Sequence, residues 1–433
     1  MFFLERQFKL RENRTTVKTE FLAGLTTFMT MAYIIFVNPN ILSSTGMPFG
    51  PVMVATCLSS AVATLLMAFL ANYPIALAPG MGLNAFFAFT VVRGMGISWK
   101  IALFAVFVEG IIFIVLTLTK LREEIVNTIP KTLKIGISSG IGLFITFIGL
   151  QSAGIVVHND ATLLSLASLR NNVPALLSLC GLLLIVSLEC FRVTGALLIG
   201  IVAITAAGVG LGMVELPASF VSSPPSIEPI FGQFDYSMIA SLDFWLIVFT
   251  FFFIDFFDTV GTLVGVCNRS GLLDSKGHLP NARGALLADA IGTTAGALLG
   301  TSTVTSYVES ASGIAQGGRT GLTAVVTSVL FLLAIFFSPL VAIVPNYATA
   351  PTLIVVGIFM MVGLRDLNYE DWTELVPSML AFFMMPLTYS IAEGIEFGIV
   401  SYVLMKSLTG KTKDVSVVMY CLAALFVLKE ALV

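Results

Sequence analysis

Long uninterrupted apolar runs recur along this chain at close to the length of a bilayer crossing, and that recurrence limits the fold more than any other feature. An α-helix needs ~20 apolar residues to span hydrocarbon. Runs of about this size read at 21–40, 50–72, 75–92, 100–119, 134–152, 173–191, 194–213, 244–267, 284–301, 302–316, 319–340, 350–364, 374–391 and 393–408. With 57% hydrophobic and 11% charged residues in 433, the chain is far more apolar than a soluble domain. The runs are continuous rather than alternating, which excludes a β-barrel. The expected fold class is an all-α polytopic membrane protein of about fourteen transmembrane segments. A further run, Val415–Val433, reads as a surface helix or an extra span.

Charge and cysteine content narrow the function classes. Net charge is −3, and no basic patch with interleaved aromatics points to nucleic acid. The five cysteines lie in or beside apolar segments without metal-ligand spacing, so they read as structural thiols. The two histidines, His158 and His278, fall in loops, and neither a metal site nor a cofactor is expected. The segment from Met1 to Glu20 is polar and basic without an apolar core, so no cleavable leader is expected. Basic residues of short loops set orientation. Arg6, Lys9, Arg11, Arg14 and Lys18 share one side with Lys120, Arg122, Lys131, Arg269, Lys276, Arg283, Arg319, Arg365, Lys411 and Lys413, whereas the 214–243 and 341–349 links carry no Lys or Arg. Arg93, Lys100 and Arg170 are exceptions. The count places both termini in the cytoplasm.

Internal echoes suggest a duplication. Ala55–Leu66 resembles Ala288–Leu299, Val173-Pro174 is echoed by Val376-Pro377, and the run from Gly195 resembles that from Gly394, in the same order. Seven spans per half is an odd number, so the second copy is expected upside down relative to the first, as in many secondary transporters. The third and tenth spans break the helical rule at corresponding places. Pro74, Pro79, Gly80 and Gly82 interrupt the third; hydroxyl and β-branched residues from Thr301 to Ser306, then Glu309, open the tenth. Each reads as an extended stretch followed by a half-helix, tolerated at membrane depth only where protein buries it or water lines it. Their N-termini would point free N–H groups at one midplane cavity.

Three carboxylates stand out against this frame. Glu309 begins the tenth half-helix, where it either caps the helix or accepts two N–H bonds from a heterocycle. Asp255 and Asp258 lie three apart in one apolar run and so share a helix face. A carboxylate there costs about 2.5–3.5 kcal/mol on insertion scales. Two so close do not both ionise cheaply, which suits loading and releasing a proton. Asp255, deeper in the run, reads as the better substrate contact. Asn84 is the counterpart of Glu309, either as a ligand amide or as a helix cap. Gly82 permits close backbone approach, and Thr30 falls opposite Asp255 under the repeat. Among Phe251, Phe252, Phe253, Phe256 and Phe257, one could stack on a flat ring. Glu109 is also in or near a span; Glu189 and Arg192 read as an ion pair, Glu393 and Glu396 as solvated residues at a span junction, and Asp289 as a helix-start carboxylate.

At these residues the chain resembles the nucleobase–cation symporter family, in its branch of azaguanine/hypoxanthine/guanine/adenine-type purine permeases. The resemblance rests on Gly80–Phe87, Asp255–Leu263, Thr303–Gly313 and the N-terminal Thr19–Ile34 segment, and it covers nearly the whole chain. It implies two inverted seven-span repeats after a cytoplasmic segment 1–20. A core domain would comprise 21–119 and 244–340, and a gate domain 120–213 and 341–408, with an extracytoplasmic link at 214–243 and a C-terminal segment 409–433. It places substrate binding on Glu309, Asp255 and Asn84, with Gly82 shaping the pocket. Relatives that prefer uracil or xanthine have Glu followed by His or Asp at the eighth-span site, where this chain has Asp255 and then Asp258.

The resulting expectation is a proton-coupled purine nucleobase importer of a bacterial inner membrane, not an enzyme, with Asp258 or Asp255 carrying the proton. The family fold is often a homodimer. An anion exchanger on the same fold would want a basic residue at the site, and none lies at the expected centre. An intramembrane aspartyl protease needs aspartates on facing helices, whereas Asp255 and Asp258 share one. A passive channel is disfavoured by the broken-helix symmetry.

Overall fold

The computed structural model describes residues 2–119, 130–270 and 281–432, and several side chains between Phe257 and Ser270 lie outside that description. The expectations on Phe257, on the loop residues Lys120, Arg122, Lys276 and His278, and on the side chain of Arg269 therefore fall outside the described residues. In chain order the helices are α1 (Phe2–Phe8), α2 (Val17–Met31), α3 (Ile34–Ser43), α4 (Phe49–Leu70), α5 (Met81–Ala85), α6 (Trp99–Thr119), α7 (Lys131–Ser152), α8 (Val173–Cys190) and α9 (Ala196–Gly210). The second half follows with α10 (Leu242–Ser270), α11 (Ala282–Leu299), α12 (Ser310–Ala315), α13 (Gly321–Ala334), α14 (Ser338–Ala342), α15 (Asn346–Met360), α16 (Trp372–Thr388), α17 (Ile391–Leu408) and α18 (Val417–Leu432). Four short strands complete it: β1 (Leu77–Pro79), β2 (Val156–Asn159), β3 (Leu163–Leu166) and β4 (Val304–Ser306).

Each apolar run expected as a span folds as a helix or as a strand followed by a helix. Among the described residues, seven helical stretches meet both length and hydropathy for a bilayer crossing. Local chemistry sets the boundaries. Thr16, Asn172, Thr320, Asp371 and Ser390 each cap a helix start by accepting a backbone N–H. Gly300, at φ +98°, ends α11 in the left-handed region that a side chain resists. The first span holds a discontinuity that its apolar run conceals: α2 stops at Met31 and α3 restarts at Ile34, with Ala32 and Tyr33 between.

The two interrupted spans meet. β1 and β4 pair antiparallel, with Leu77 opposite Ser306, Ala78 opposite Thr305 and Pro79 opposite Val304. Beyond β1 the chain runs through α5 into a π-helical stretch, Phe86–Gly94; beyond β4 it enters α12. The expected form, an extended piece then a half-helix, is the observed one in both halves. The echoed segments likewise fall on corresponding elements: α4 and α11, α8 and α16, α9 and α17. Their registers differ in detail, since Pro174 opens α8 whereas Pro377 lies inside α16. The all-α class with two inverted halves is thus the architecture of the protein.

Two groups of helices pack on themselves. In the first, α11 lies on α4 and α6, α10 on α6 and α12, α3 on α4, α13 on α4 and α2, and α12 on α2. In the second, α7 packs on α15 and α16, α16 on α17, and α8 on α15 and α9. The extra C-terminal helix α18 lies on α17 and brings Phe426 within 6.4 Å of Phe249. Polar clasps hold each group. Buried Glu20 on α2 accepts from the backbone N–H groups of Arg319 and Thr323 and from the Thr323 hydroxyl at 2.6 Å, satisfying the start of α13. In the second group, buried Lys406 on α17 lies 3.0 Å from Glu374 on α16, whose other oxygen accepts from Thr132 on α7. Nearby Asp371, at the head of α16, is held down to about 2 by the Thr373 hydroxyl and then Lys411. A lowered carboxyl stabilises the fold above its ordinary value of 3.8 and loses that contribution as pH falls through about 2.

One close approach in the first group lies beside the second broken span. A Cβ on Gly313 would sit 2.0 Å from Thr27 Oγ1 and 2.6 Å from the Ala23 carbonyl. Overpacking of this kind costs about 1–3 kcal/mol. Gly313→Ala is expected to lower the thermal unfolding midpoint of the detergent-purified protein, and an unchanged midpoint would show that α2 and α12 pack more loosely than described.

Candidate functional site

Unwound backbone at membrane depth has N–H and C=O groups that no water satisfies. Side chains of the surrounding helices answer them. Thr64 Oγ1 accepts from Leu77 N at 2.9 Å and contacts Leu77 O at 3.0 Å; Thr293 Oγ1 donates to Val304 O at 2.9 Å. Ser310 Oγ accepts from Ala76 N at 3.0 Å, and Tyr307 Oη donates to Pro79 O at 2.6 Å. Backbone bonds from Gly80 N to Thr303 O and from Tyr307 N to Ala76 O extend the crossing by a residue each way. The crossing is thereby rigid, and it fixes where the two half-helices begin.

A cavity of about 670 Å³ opens against this crossing. One wall comes from the first helix group: Tyr33, Gly80–Gly82, Ile254, Asp258, Thr262 and Thr305–Glu309. The other comes from the second: Lys131–Ile141 on α7 and Val356–Gly363 at the end of α15. Lys131, Lys134 and Asp366 also line it. First-turn N–H groups of a helix lack intrahelical acceptors, and Met81 and Gly82 present that turn of α5 to the cavity.

The expected site residues separate into two sets. Glu309, Asp258 and Gly82 line the cavity. Glu309 stands at the N-cap of α12 and accepts a hydrogen bond from Tyr33 Oη at 2.7 Å. The Gly82 position is forced by packing, because a Cβ there would lie 2.6 Å from Ile141 Cγ2 on the opposite wall. Gly80 is equally tight, 2.6 Å from Thr305 Cγ2. Asp255, Asn84 and Thr30 do not line the cavity. Asp255 is fully buried behind it, where Thr259 Oγ1 lies 3.2 Å from Asp255 Oδ1, 2.8 Å from Asp289 Oδ1 and 2.9 Å from Thr305 Oγ1. Asn84 is also buried and accepts from Ser302 Oγ, tying the third span to the loop before β4. Thr30 donates to the carbonyls of Thr26 and Thr27 and reaches the Glu309 carbonyl at 3.5 Å.

Several secondary readings change. Asp289 is not a helix-start carboxylate: it lies well inside α11, wholly buried, and belongs to the Thr259 network. Glu396 is 5% exposed within α17, not solvated at a junction, because the helix starts at Ile391 and turns that face inward. Among the described residues no ion pair joins Glu189 and Arg192; the helix ends at Cys190 and Arg192, at φ +56°, donates its backbone N–H to the Glu189 carbonyl. Glu109 accepts from Thr303 Oγ1 at 3.0 Å behind the tenth-span break. Thr259 was readable as a bridging partner for one of the two aspartates, whereas sequence reasoning passed over Tyr33, Tyr307 and Thr305. Their signal was only that polar groups recur inside apolar runs next to the interrupted segments.

A cavity walled by two helix groups and set against paired broken spans is the arrangement of a multi-pass membrane transporter. The solved transmembrane domain of the cyanobacterial bicarbonate transporter BicA shares the fold, with a TM-score of 0.67 at 16% identity over 87% of this chain and 96% of that one. The Permease family, of xanthine/uracil permease type, matches residues 18–397, and the chain belongs to this nucleobase permease family. It is 51% identical to Putative permease MJ0326 of Methanocaldococcus jannaschii over 99% of this chain and 98% of that one. It is 47% identical to Adenine permease AdeQ of Escherichia coli over 99% and 96%. With Guanine/hypoxanthine permease PbuG of Bacillus subtilis it shares 46% over 97% and 98%.

The division of carboxylates is directly measurable. In a background with the native cysteines replaced, Asp258→Cys and Ser138→Cys should react with a charged methanethiosulfonate reagent, and Asp255→Cys and Asn84→Cys should not. Labelling of Asp255→Cys at the rate of Asp258→Cys would place the cavity wrongly.

Proposed function

We propose that this chain imports purine nucleobases across the cell membrane by proton symport, with both termini in the cytoplasm. The observation that carries the reading is the arrival of Glu309 and Asp258, from the tenth and eighth spans, at one cavity beside the β1–β4 crossing. A flat neutral heterocycle offers N–H donors on its edge, and carboxylates accept them with bonds stronger than those between neutral partners. Glu309 takes ring or amino N–H groups, and the first N–H groups of α5 face ring nitrogens or a carbonyl. Gly82 keeps the slot open at the third span. Relatives named as adenine and guanine/hypoxanthine permeases support a purine as cargo.

Asp258 is the proposed proton acceptor, since it faces the cavity and lies one helical turn from the buried Asp255–Thr259–Asp289 network. Asp255 then acts behind the site rather than as a substrate contact, and Asn84 holds the break in place. Movement of the first helix group, the core, against the second, the gate, would expose the cavity alternately to the two sides. The anion-exchanger reading is disfavoured because three carboxylates, Glu309, Asp258 and Asp366, line the cavity against two lysines, Lys131 and Lys134.

Competition uptake of radiolabelled hypoxanthine, guanine, adenine and uracil, in cells lacking their own permeases, tests the cargo. A purine should win, and uracil as preferred substrate would overturn the reading. Glu309→Gln and Asp258→Asn are each expected to lower Vmax/KM about tenfold or more at unchanged membrane abundance, the scale of a lost hydrogen bond to a charged group. Wild-type kinetics in either variant would remove that residue from the site. Accumulation that survives collapse of the proton gradient would remove the proton.

A further inference from the structure

We infer that Tyr33 is a specificity-determining positioning residue, whose hydroxyl sets the orientation in which the Glu309 carboxylate meets the ligand. This rests on the site reading above and adds to it a residue of the first span. Tyr33 is 1% exposed, yet its ring lines the cavity, and its hydroxyl lies 2.7 Å from Glu309 Oε1. It stands in the gap between α2 and α3, where the first span interrupts its helix beside the strand crossing. Thr30, one turn earlier, lies 3.5 Å from the Glu309 carbonyl, so two residues of the first span border Glu309. Gly313, one turn into α12, lets the half-helix approach α2 closely enough for this.

The consequence is geometric. A carboxylate on a flexible side chain can turn about its last torsion, and each orientation offers a different pair of lone pairs. With Oε1 engaged by Tyr33, the swing of the group is restricted and Oε2 keeps a lone pair for a ligand N–H. The Tyr307 ring, 6.5 Å from that of Tyr33, borders the same position; its hydroxyl donates to Pro79 O, and its oxygen also stands within hydrogen-bonding reach of the Tyr33 hydroxyl. The two tyrosines therefore act differently, Tyr307 fastening the strand crossing and Tyr33 aiming the acid. Purines that differ in the donor pattern of one edge are discriminated by where Oε2 points, not only by the presence of a carboxylate.

The test uses the full-length protein in detergent and the purine that wild type takes up best. Its dissociation constant is measured by scintillation proximity together with the thermal midpoint. Tyr33→Phe keeps the ring and removes the hydroxyl; a Kd raised about tenfold with the midpoint unchanged is expected. Its preference among hypoxanthine, guanine and adenine should also narrow. In a Glu309→Asp background, where the shortened acid no longer reaches Tyr33, adding Tyr33→Phe should change Kd less than about twofold. Wild-type affinity in Tyr33→Phe, or a loss in the double variant equal to the product of the single losses, would overturn the assignment. If Tyr33→Phe is poorly folded, Tyr33→His, which retains a ring N–H donor, must bind more tightly than Tyr33→Leu of equal midpoint, and equal affinities would also overturn it. Wild-type affinity in Glu309→Gln would instead defeat the site reading on which it rests.

Discussion

The antiparallel crossing of β1 and β4 is the constraint from which the rest of the site follows. Three residues of strand in each half must satisfy their backbone groups away from lipid, and an unpaired group in hydrocarbon costs several kcal/mol. The two strands satisfy part of that need for each other, and Thr64, Thr293, Ser310 and Tyr307 satisfy more of it. An interruption in one half therefore requires the interruption in the other. This mutual dependence explains why two otherwise costly breaks sit at corresponding places in an inverted repeat. It also brings two helix starts to one depth, with Glu309 at one of them and Gly82 at the other.

The crossing also sorts the acids into a front and a back. Glu309 and Asp258 face the cavity, whereas Asp255 and Asp289 meet at Thr259 behind β4, with Thr305 of that strand as the shared neighbour. Thr259 has a single hydroxyl proton, so it cannot donate to both aspartates at once. The strand that carries Thr305 is thus coupled on one face to the cavity and on the other to the buried acids.

Much of this was legible in the chain, and the reasons differ by residue. Pro74, Pro79 and the glycines of the third span, and the hydroxyl run of the tenth, cannot continue a helix, so both breaks were readable from local chemistry. Glu309 was readable because it follows such a break. Which of Asp255 and Asp258 lines the cavity was not. Three residues apart, they share a face, and only the packing of α10 against α11 and β4 decides which of them is turned away from the cavity. Depth in the apolar run favoured Asp255, and depth proved to mean burial. Asn84 was matched to Glu309 by the repeat, but an amide and a carboxylate at equivalent positions met different neighbours, and Asn84 closed on Ser302. The gap at Tyr33 left no trace because Ala32 and Tyr33 keep right-handed helical dihedrals.

The way the two helix groups touch bears on how such a site changes its exposure. Within each group the contacts are polar and directional: Glu20 with Thr323, Asn38 with Thr56 and Thr301, Lys406 with Glu374, Ser178 with Tyr347. Between the groups they are largely apolar, as where Gly82 meets Ile141, the Phe89 ring meets Tyr389 at 6.1 Å, and Gly195 lies on Met29. Among the described residues the hydrogen bond from Asn40 to Thr349 that crosses between them is long, at 3.4 Å. Apolar contact is non-directional and scales with area, so it tolerates sliding that a hydrogen-bond ladder would oppose. In such a movement Gly82 would offer no side chain to obstruct Ile141, whose Cγ2 already fills the place of the missing Cβ. The same absence that shapes the slot smooths the surface along which the slot would open and close.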